Sequence, residues 1–153
     1  MSKFKVYTKS ILLPILVGGV VGLIISNSLD YNSLNRPFLA PPSLVFPIIW
    51  TILYILMGIS YGILKSNGLT SSKIDFLYFL QLFVNALWPI IFFSFKQRLL
   101  AFIWIVFLGI FIFIMIIRFY RKKKVAGLLQ IPYLVWTLFA TYLNFSIYLL
   151  NNA

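Results

Sequence analysis

The sequence predicts an all-α membrane protein, a bundle of five transmembrane helices. Apolar residues make up 62% of the 153 residues and charged residues only 10%, which is outside the range of water-soluble domains. Five runs without Lys, Arg, Asp or Glu extend over about 11–29, 44–64, 76–95, 99–117 and 127–150. About 20 helical residues cross a hydrocarbon core about 30 Å thick, so each run is long enough to span. We therefore expect one transmembrane domain over residues 1–153.

The first span follows three lysines, as the apolar part of a signal peptide would. No small-residue cleavage site follows it, because Ser26 to Leu29 lead directly into a loop, so we expect the span to be retained. Glycines four residues apart, Gly18 and Gly22, form a small face that allows close helix approach.

The second span repeats this small face with Gly58 and Gly62. Close packing within the bundle is the favoured interpretation of both faces, and dimerisation is the alternative. We predict a homodimer that uses them. An aromatic pair, Trp50 and Tyr54, shares another face of this span.

The loop before the second span contains Pro37, Pro41 and Pro42. Proline fixes its own φ and restricts the residue before it, so this loop is expected to be stiff. A stiff loop at the mouth of an aromatic bundle would act as a lid. Ordinary turn chemistry before a helix explains the same prolines equally well.

The third span places Gln81, Asn85 and Trp88 on one helical face. A buried amide needs a hydrogen-bond partner, so Asn85 is expected to bond either a neighbouring helix or a ligand, and both interpretations stay open. The fourth span contains Trp104, which is assigned to a packing or lipid-facing surface.

The fifth span carries a similar stripe, in which Trp136, Ala140 and Asn144 follow one another at steps of four. Tryptophan usually lies at the membrane interface. Trp136 instead falls near the middle of its span, which suggests a role inside the bundle.

Lysine and arginine are concentrated at the span ends, ten on one side of the membrane and Arg36, Lys96 and Arg98 on the other. The positive-inside rule therefore predicts a cytoplasmic N-terminus and an external C-terminus, in what we expect to be a bacterial plasma membrane. The net charge of +11 is explained by this topology, and we expect contact with membrane lipid and none with nucleic acid.

Several classes of chemistry are excluded by what the chain lacks. It contains no cysteine and no histidine, and Asp30 and Asp75 are its only carboxylates. A metal cluster, a Ser-His-Asp triad and a paired-carboxylate acid/base site therefore cannot be assembled, and no cofactor is expected to be required. Ion-driven transport is disfavoured as well, because no charged group lies within the spans.

Together these features resemble the tryptophan-rich sensory protein, or translocator protein, family (TspO/MBR), over about Tyr31 to Asn144. Three blocks of residues in order carry the resemblance: Tyr31, Leu34, Arg36, Pro37, Pro41, Pro42, Phe46, Pro47 and Trp50; Gln81, Asn85, Trp88 and Pro89; and Pro132, Tyr133, Trp136, Phe139, Ala140 and Asn144.

The resemblance implies a five-helix bundle that binds protoporphyrin IX, sterols and benzodiazepine-type ligands beneath the first loop, and light-dependent porphyrin breakdown in some members. Its implied ligand-binding residues are Tyr31, Pro42, Trp50, Tyr54, Asn85, Trp88, Trp136 and Ala140. Trp50 and Trp136 match the tryptophans implicated in the photochemistry. The chain departs from the family at Asp30 and Leu39, where loop tryptophans are common, and this departure concerns how tightly the lid holds a porphyrin. The chain also lacks the family's C-terminal cholesterol motif, so sterol binding is expected to be less favoured.

The leading functional hypothesis is a tetrapyrrole-binding membrane protein with a sensory or regulatory role. A metal-free porphyrin is the expected ligand, because neither His nor Cys is available to hold haem iron. The alternatives are a transporter of porphyrins or other amphipathic molecules and a photochemical enzyme without a conventional catalytic constellation.

Overall fold

The computed structural model describes residues 2–152 and contains five helical spans that are long and apolar enough to cross a membrane. The first three are α1 (Lys3–Ile25), α2 (Val45–Ser66) and α3 (Ser72–Pro89), and α3 continues into a π-helical turn over Ile90–Ser94. The fourth is α4 (Arg98–Lys122). The fifth consists of a short α5 (Lys124–Leu128) and a long α6 (Ile131–Asn152). The predicted all-α, five-span architecture is confirmed.

All five spans differ from their predicted bounds, the third beginning at Ser72 and the fourth ending at Lys122, and in the first and fifth the reason is a local cap or a proline. α1 begins at Lys3, well before the apolar run, because the Ser2 side chain accepts a hydrogen bond from the Lys5 backbone N–H at 3.3 Å and caps the helix. The fifth span is divided between α5 and α6. Pro132 lies in the first turn of α6, where its missing N–H is tolerated, and it cannot continue an earlier helix.

The core of the bundle follows one stripe of α4. Ile105, Leu108, Ile112 and Met115 are all completely buried at alternating steps of three and four. Trp104 lies beside this stripe, and its indole N–H donates to the backbone oxygen of Val84 at 2.7 Å. Trp104 therefore packs α4 against α3.

Three of the four glycines in the small faces of α1 and α2 lie against the neighbouring helix. A Cβ at Gly58 would collide with the α1 backbone at Ser10 and Ile11, and one at Gly18 would collide with the Tyr54 ring. The prediction of close packing within the bundle is confirmed for these glycines. Gly22 is exposed and a Cβ there would meet nothing within 4 Å, so the prediction of close packing is wrong for Gly22. A homodimer stays a prediction.

Adding a methyl group at Gly58 is expected to destabilise the bundle. The Gly58→Ala variant should lose roughly 1–3 kcal/mol, because α1 and α2 must separate to admit the methyl group. Gly109→Ala is the matched control, since a Cβ at Gly109 meets nothing within 4 Å. Thermal melting in detergent measures both. Equal melting temperatures for the two variants would contradict the packing assigned to Gly58.

The orientation of the bundle is a separate prediction. If the N-terminus is cytoplasmic, the C-terminus of a five-span protein lies on the external side. A phosphatase reporter fused after Ala153 should then be active, and a fluorescent reporter fused there should not fluoresce. The same pair of reporters inserted at Gly68, between α2 and α3, should give the opposite result. Fluorescence from the C-terminal fusion would show that the topology is the reverse of the predicted one.

Candidate functional site

A cavity of about 840 Å³ lies between α1, α2, α3 and α6 and is bounded by parts of the first loop. Its wall is mainly apolar and aromatic, with a small number of polar groups, as is usual for small-molecule sites. Six of the eight predicted ligand-binding residues line it, namely Tyr31, Trp50, Tyr54, Asn85, Trp88 and Ala140. Three separate blocks of sequence are thus brought to one space.

A hydrogen-bonded chain connects the cavity wall to the interior of the bundle. The Tyr54 hydroxyl donates to Asn85 Oδ1 at 2.8 Å, and Asn85 Nδ2 donates to the Tyr133 hydroxyl at 2.7 Å. The Tyr133 hydroxyl donates in turn to Gln81 Oε1 at 2.8 Å. Asn85 therefore joins α2, α3 and α6, which confirms the interhelical interpretation. It also lines the cavity, so its amide is fixed in orientation there.

A second polar chain fixes Trp88. Its indole N–H donates to Asn144 Oδ1 at 2.9 Å, and Asn144 Nδ2 donates to the backbone oxygen of Arg98 at 2.8 Å. Trp88 and Asn144 both line the cavity. Because each polar atom in this chain has a partner, the Trp88 ring is held in one position as part of the wall.

The first loop is closed on itself by one hydrogen bond and is held against α2 and α6 by other contacts. The Tyr31 hydroxyl donates to the backbone oxygen of Pro41 at 2.6 Å, and its ring packs edge-on against Phe46 at 5.0 Å. Asn151 of α6 exchanges two hydrogen bonds with the backbone of Asn35, at 3.0 and 2.9 Å. Both ends of the loop line the cavity, so the loop forms part of the wall in addition to starting α2.

Comparison with known proteins identifies the family of the chain. The TspO/MBR family model matches residues 10–150. The chain belongs to the TspO/MBR family. It is 42% identical over 122 residues to the tryptophan-rich protein TspO of Archaeoglobus fulgidus, covering 79% of each chain. It is 35% identical over 121 residues to the tryptophan-rich sensory protein of Cereibacter sphaeroides, covering 79% of this chain and 76% of that protein. It is 34% identical over 122 residues to the translocator protein of Sus scrofa, covering 77% of this chain and 72% of that protein.

Two of the predicted ligand-binding residues lie outside the cavity of this TspO/MBR protein. Pro42 faces a separate shallow depression formed by the loop itself. Trp136 packs against Phe46 at 5.7 Å and Phe139 at 5.4 Å between ring centroids. Phe46 lines the cavity and Trp136 does not. Of the two tryptophans assigned to photochemistry, the structure therefore places only Trp50 in the cavity wall.

Three aromatic residues of the wall, Phe46, Phe92 and Phe93, were not among the predicted ligand-binding residues. Phe92 and Phe93 line the cavity and lie in the π-helical turn that follows Pro89. The turn is marked by the bond from the Phe95 N–H to the Ile90 oxygen at 3.0 Å, five residues back. A proline followed by a run of apolar residues was the available signal.

An ion pair at the cavity was also missed. Arg98 at the start of α4 donates to Asp30, which lies between α1 and the loop, at 2.5 Å. Arg98 is 8% exposed and the Asp30 side chain 21%. From its position at a span end, Arg98 was expected to act only as a topology signal. The expectation that no charged group lies inside the bundle is therefore wrong at this end of it.

Proposed function

We propose that the protein binds a tetrapyrrole, with protoporphyrin IX as the ligand, and that it has a sensory or regulatory role in its membrane. The observation that carries the proposal is the aromatic cavity. Its volume of about 840 Å³ lies in the upper part of the range of roughly 300–1,000 Å³ that is usual for small-molecule sites. Rings from Trp50, Tyr54, Trp88 and Phe92 give flat apolar surfaces for a large π-system.

The cavity chemistry favours a metal-free macrocycle. The chain has neither His nor Cys, which are common axial ligands of haem iron. Tyrosine also ligates iron in some proteins, but the hydroxyls of Tyr31 and Tyr54 are already hydrogen-bonded within the protein. Protoporphyrin IX needs no such ligand and would be held by stacking and burial.

Tryptophan fluorescence provides the test, because two of the four tryptophans line the cavity. Protoporphyrin IX, haem and a sterol should be titrated side by side into the reconstituted protein. We expect saturable quenching that is tightest for protoporphyrin IX. The Ala140→Phe variant replaces a small residue of the cavity wall with a large ring and so reduces the space for a ligand. It should weaken binding at least about tenfold, a loss of about 1.4 kcal/mol.

Leu138→Phe is the matched control for that variant. Leu138 is 58% exposed on the outside of α6, so the same added ring should leave protoporphyrin binding unchanged. Equal binding to wild type and Ala140→Phe would exclude the cavity as the site. Tighter binding of the sterol than of the porphyrin would contradict the assigned ligand class.

A photochemical role is a second candidate, favoured by the position of Trp50. Its ring lies in the cavity wall, 5.8 Å from the ring of Tyr54 between centroids. An excited porphyrin at this wall would have an oxidisable indole next to it. Illumination of the purified complex, followed by product analysis, separates this activity from binding alone.

A further inference from the structure

Three buried tyrosines form a line that begins at the cavity wall. The Trp50 ring, which lies in that wall, meets the Tyr133 ring edge-on at 6.3 Å between centroids. The Tyr133 hydroxyl donates to Gln81 Oε1 at 2.8 Å, and Gln81 Nε2 donates to the backbone oxygen of Tyr78 at 2.9 Å. The Tyr78 ring is stacked on the Tyr61 ring at 4.3 Å, with 11° between the planes. A continuous series of contacts, the tyrosine line, therefore leads from the cavity to Tyr61.

The tyrosine line ends at a carboxylate. The Tyr61 hydroxyl donates to Asp75 Oδ1 at 2.7 Å. Asp75 lies in the first turn of α3 and is partly exposed, whereas Tyr61 is buried. Tyr61 follows Trp50 by 11 residues in α2, which is a rise of about 16 Å along the helix. The pair and the cavity therefore lie at different depths of the bundle.

The base beside Tyr61 distinguishes it from the other tyrosines near the cavity. A phenol that loses an electron becomes a strong acid, so its oxidation is favoured where a base can take the proton. Tyr54 and Tyr133 donate to amide oxygens, which are much weaker bases than the carboxylate of Asp75. The buried Tyr78 hydroxyl has no hydrogen-bond partner among residues 2–152. An oxidised state is therefore most stable at Tyr61.

We propose that the tyrosine line conducts electrons, and that Tyr61 with Asp75 returns an electron to Trp50 after the bound ligand has oxidised it under light. The inference rests on the photochemical role proposed above, which supplies the oxidant. Its consequence is protection, because an indole radical that is reduced quickly is not converted to a permanently oxidised tryptophan.

Each step moves one electron. The photoexcited ligand takes an electron from the Trp50 indole and passes it to dioxygen, which becomes superoxide. An electron from Tyr61 then restores the indole, and the proton of the Tyr61 hydroxyl moves to Asp75. The products are a neutral phenoxyl radical and a neutral carboxylic acid. A soluble thiol reduces the phenoxyl radical, Asp75 returns the proton, and the thiol releases its own proton to water.

A laser flash tests the path without any ligand. Ultraviolet photoionisation of the purified protein forms indole radicals, and the absorbances of the indole and phenoxyl radicals are followed separately. In wild type we expect the phenoxyl radical to form as the indole radical decays, and to form more slowly in D2O because a proton moves with the electron. Trp50→Phe should lower the yield of phenoxyl radical, because the indole next to the tyrosine line is then missing.

Tyr61→Phe keeps the stacked ring and removes only the hydroxyl that loses the proton. It should slow phenoxyl formation at least about tenfold. Tyr120→Phe is the matched control, because Tyr120 is 43% exposed on α4 and lies outside the tyrosine line. Thermal melting shows whether each variant is folded.

Two exchanges at Asp75 separate the base from the hydrogen bond. Asp75→Asn keeps an oxygen acceptor but removes the base, so phenoxyl formation should slow and lose its dependence on D2O. Asp75→Glu keeps a carboxylate and should recover part of the rate. A merely structural hydrogen bond would give the opposite order, with Asp75→Asn closer to wild type than Asp75→Glu. If Tyr61→Phe fails to fold, this pair decides.

Illumination of the protoporphyrin complex tests the protection. Oxidation of Trp50, measured by mass spectrometry, should be at least about threefold faster in Tyr61→Phe than in wild type or Tyr120→Phe. The proposal is overturned if phenoxyl formation is equal in Tyr61→Phe and wild type, or if Asp75→Asn leaves it unchanged. Phenoxyl formation after the flash, with no oxidation of Trp50 by illuminated porphyrin in Tyr61→Phe, would keep the electron path and reject the photochemical role. Oxidation of Trp50 at equal rates in wild type and Tyr61→Phe would keep the photochemical role and reject the protection.

Discussion

Replacing Asn85 with Leu will destabilise the bundle more than any lipid-facing exchange on the same helix. The change removes the acceptor of the Tyr54 hydroxyl and the donor to Tyr133 while keeping a similar volume. Interhelical hydrogen bonds in membranes contribute roughly 0.6–2 kcal/mol each, so losing two should reduce stability by roughly 1–4 kcal/mol. Thermal melting in detergent provides the measurement.

Phe83→Leu is the control for this experiment, because Phe83 lies on α3 and is 59% exposed. A double-mutant cycle with Tyr133→Phe then isolates the coupling between Asn85 and Tyr133. Tyr133 is 1% exposed and also donates to Gln81, so the two single losses should not add. A melting temperature for Asn85→Leu equal to that of Phe83→Leu would show that the chain of hydrogen bonds adds no stability.

The second large expected effect is on the rate of light-dependent porphyrin degradation. If bound porphyrin is degraded on illumination, Trp50→Phe should lower the rate at least about tenfold while binding is largely retained, because an apolar ring remains in the wall. Trp136→Phe should have a smaller effect, since Trp136 does not line the cavity. Trp104→Phe should alter neither rate nor binding. The rate is followed by loss of porphyrin absorbance under matched illumination.

That expectation revises the one drawn from sequence, which assigned the photochemistry to Trp50 and Trp136 together. A larger loss of rate in Trp136→Phe than in Trp50→Phe would restore the original assignment. Equal rates in wild type and both variants would remove Trp50 and Trp136 from the mechanism.

The residues that share one helix face could be predicted from sequence. The residues of other helices that pack against that face could not. Asn85 and Trp88 follow one another at helical spacing, and both line the cavity as expected. Trp136 precedes Ala140 by one helical turn, yet it packs against the Phe46 ring and does not line the cavity. Periodicity identifies the stripe, but the partner depends on how two helices pack.

Interactions between distant segments were the other limit. Asp30 and Arg98 lie at the ends of different spans, where charged residues are ordinary, so nothing local distinguishes this pair from topology signals. Phe92 and Phe93 reach the cavity through a π-helical turn, which hydropathy over a straight span does not reveal.

The hydrogen bonds between Asn151 and Asn35 have a practical consequence for handling the protein. They fasten the first loop to the last turn of α6, where helices ordinarily fray. A purification tag at the C-terminus that unwinds this turn would break both hydrogen bonds to the first loop, whose two ends line the cavity. Affinities measured with tags at opposite ends of the chain should therefore be compared before either value is attributed to the native protein.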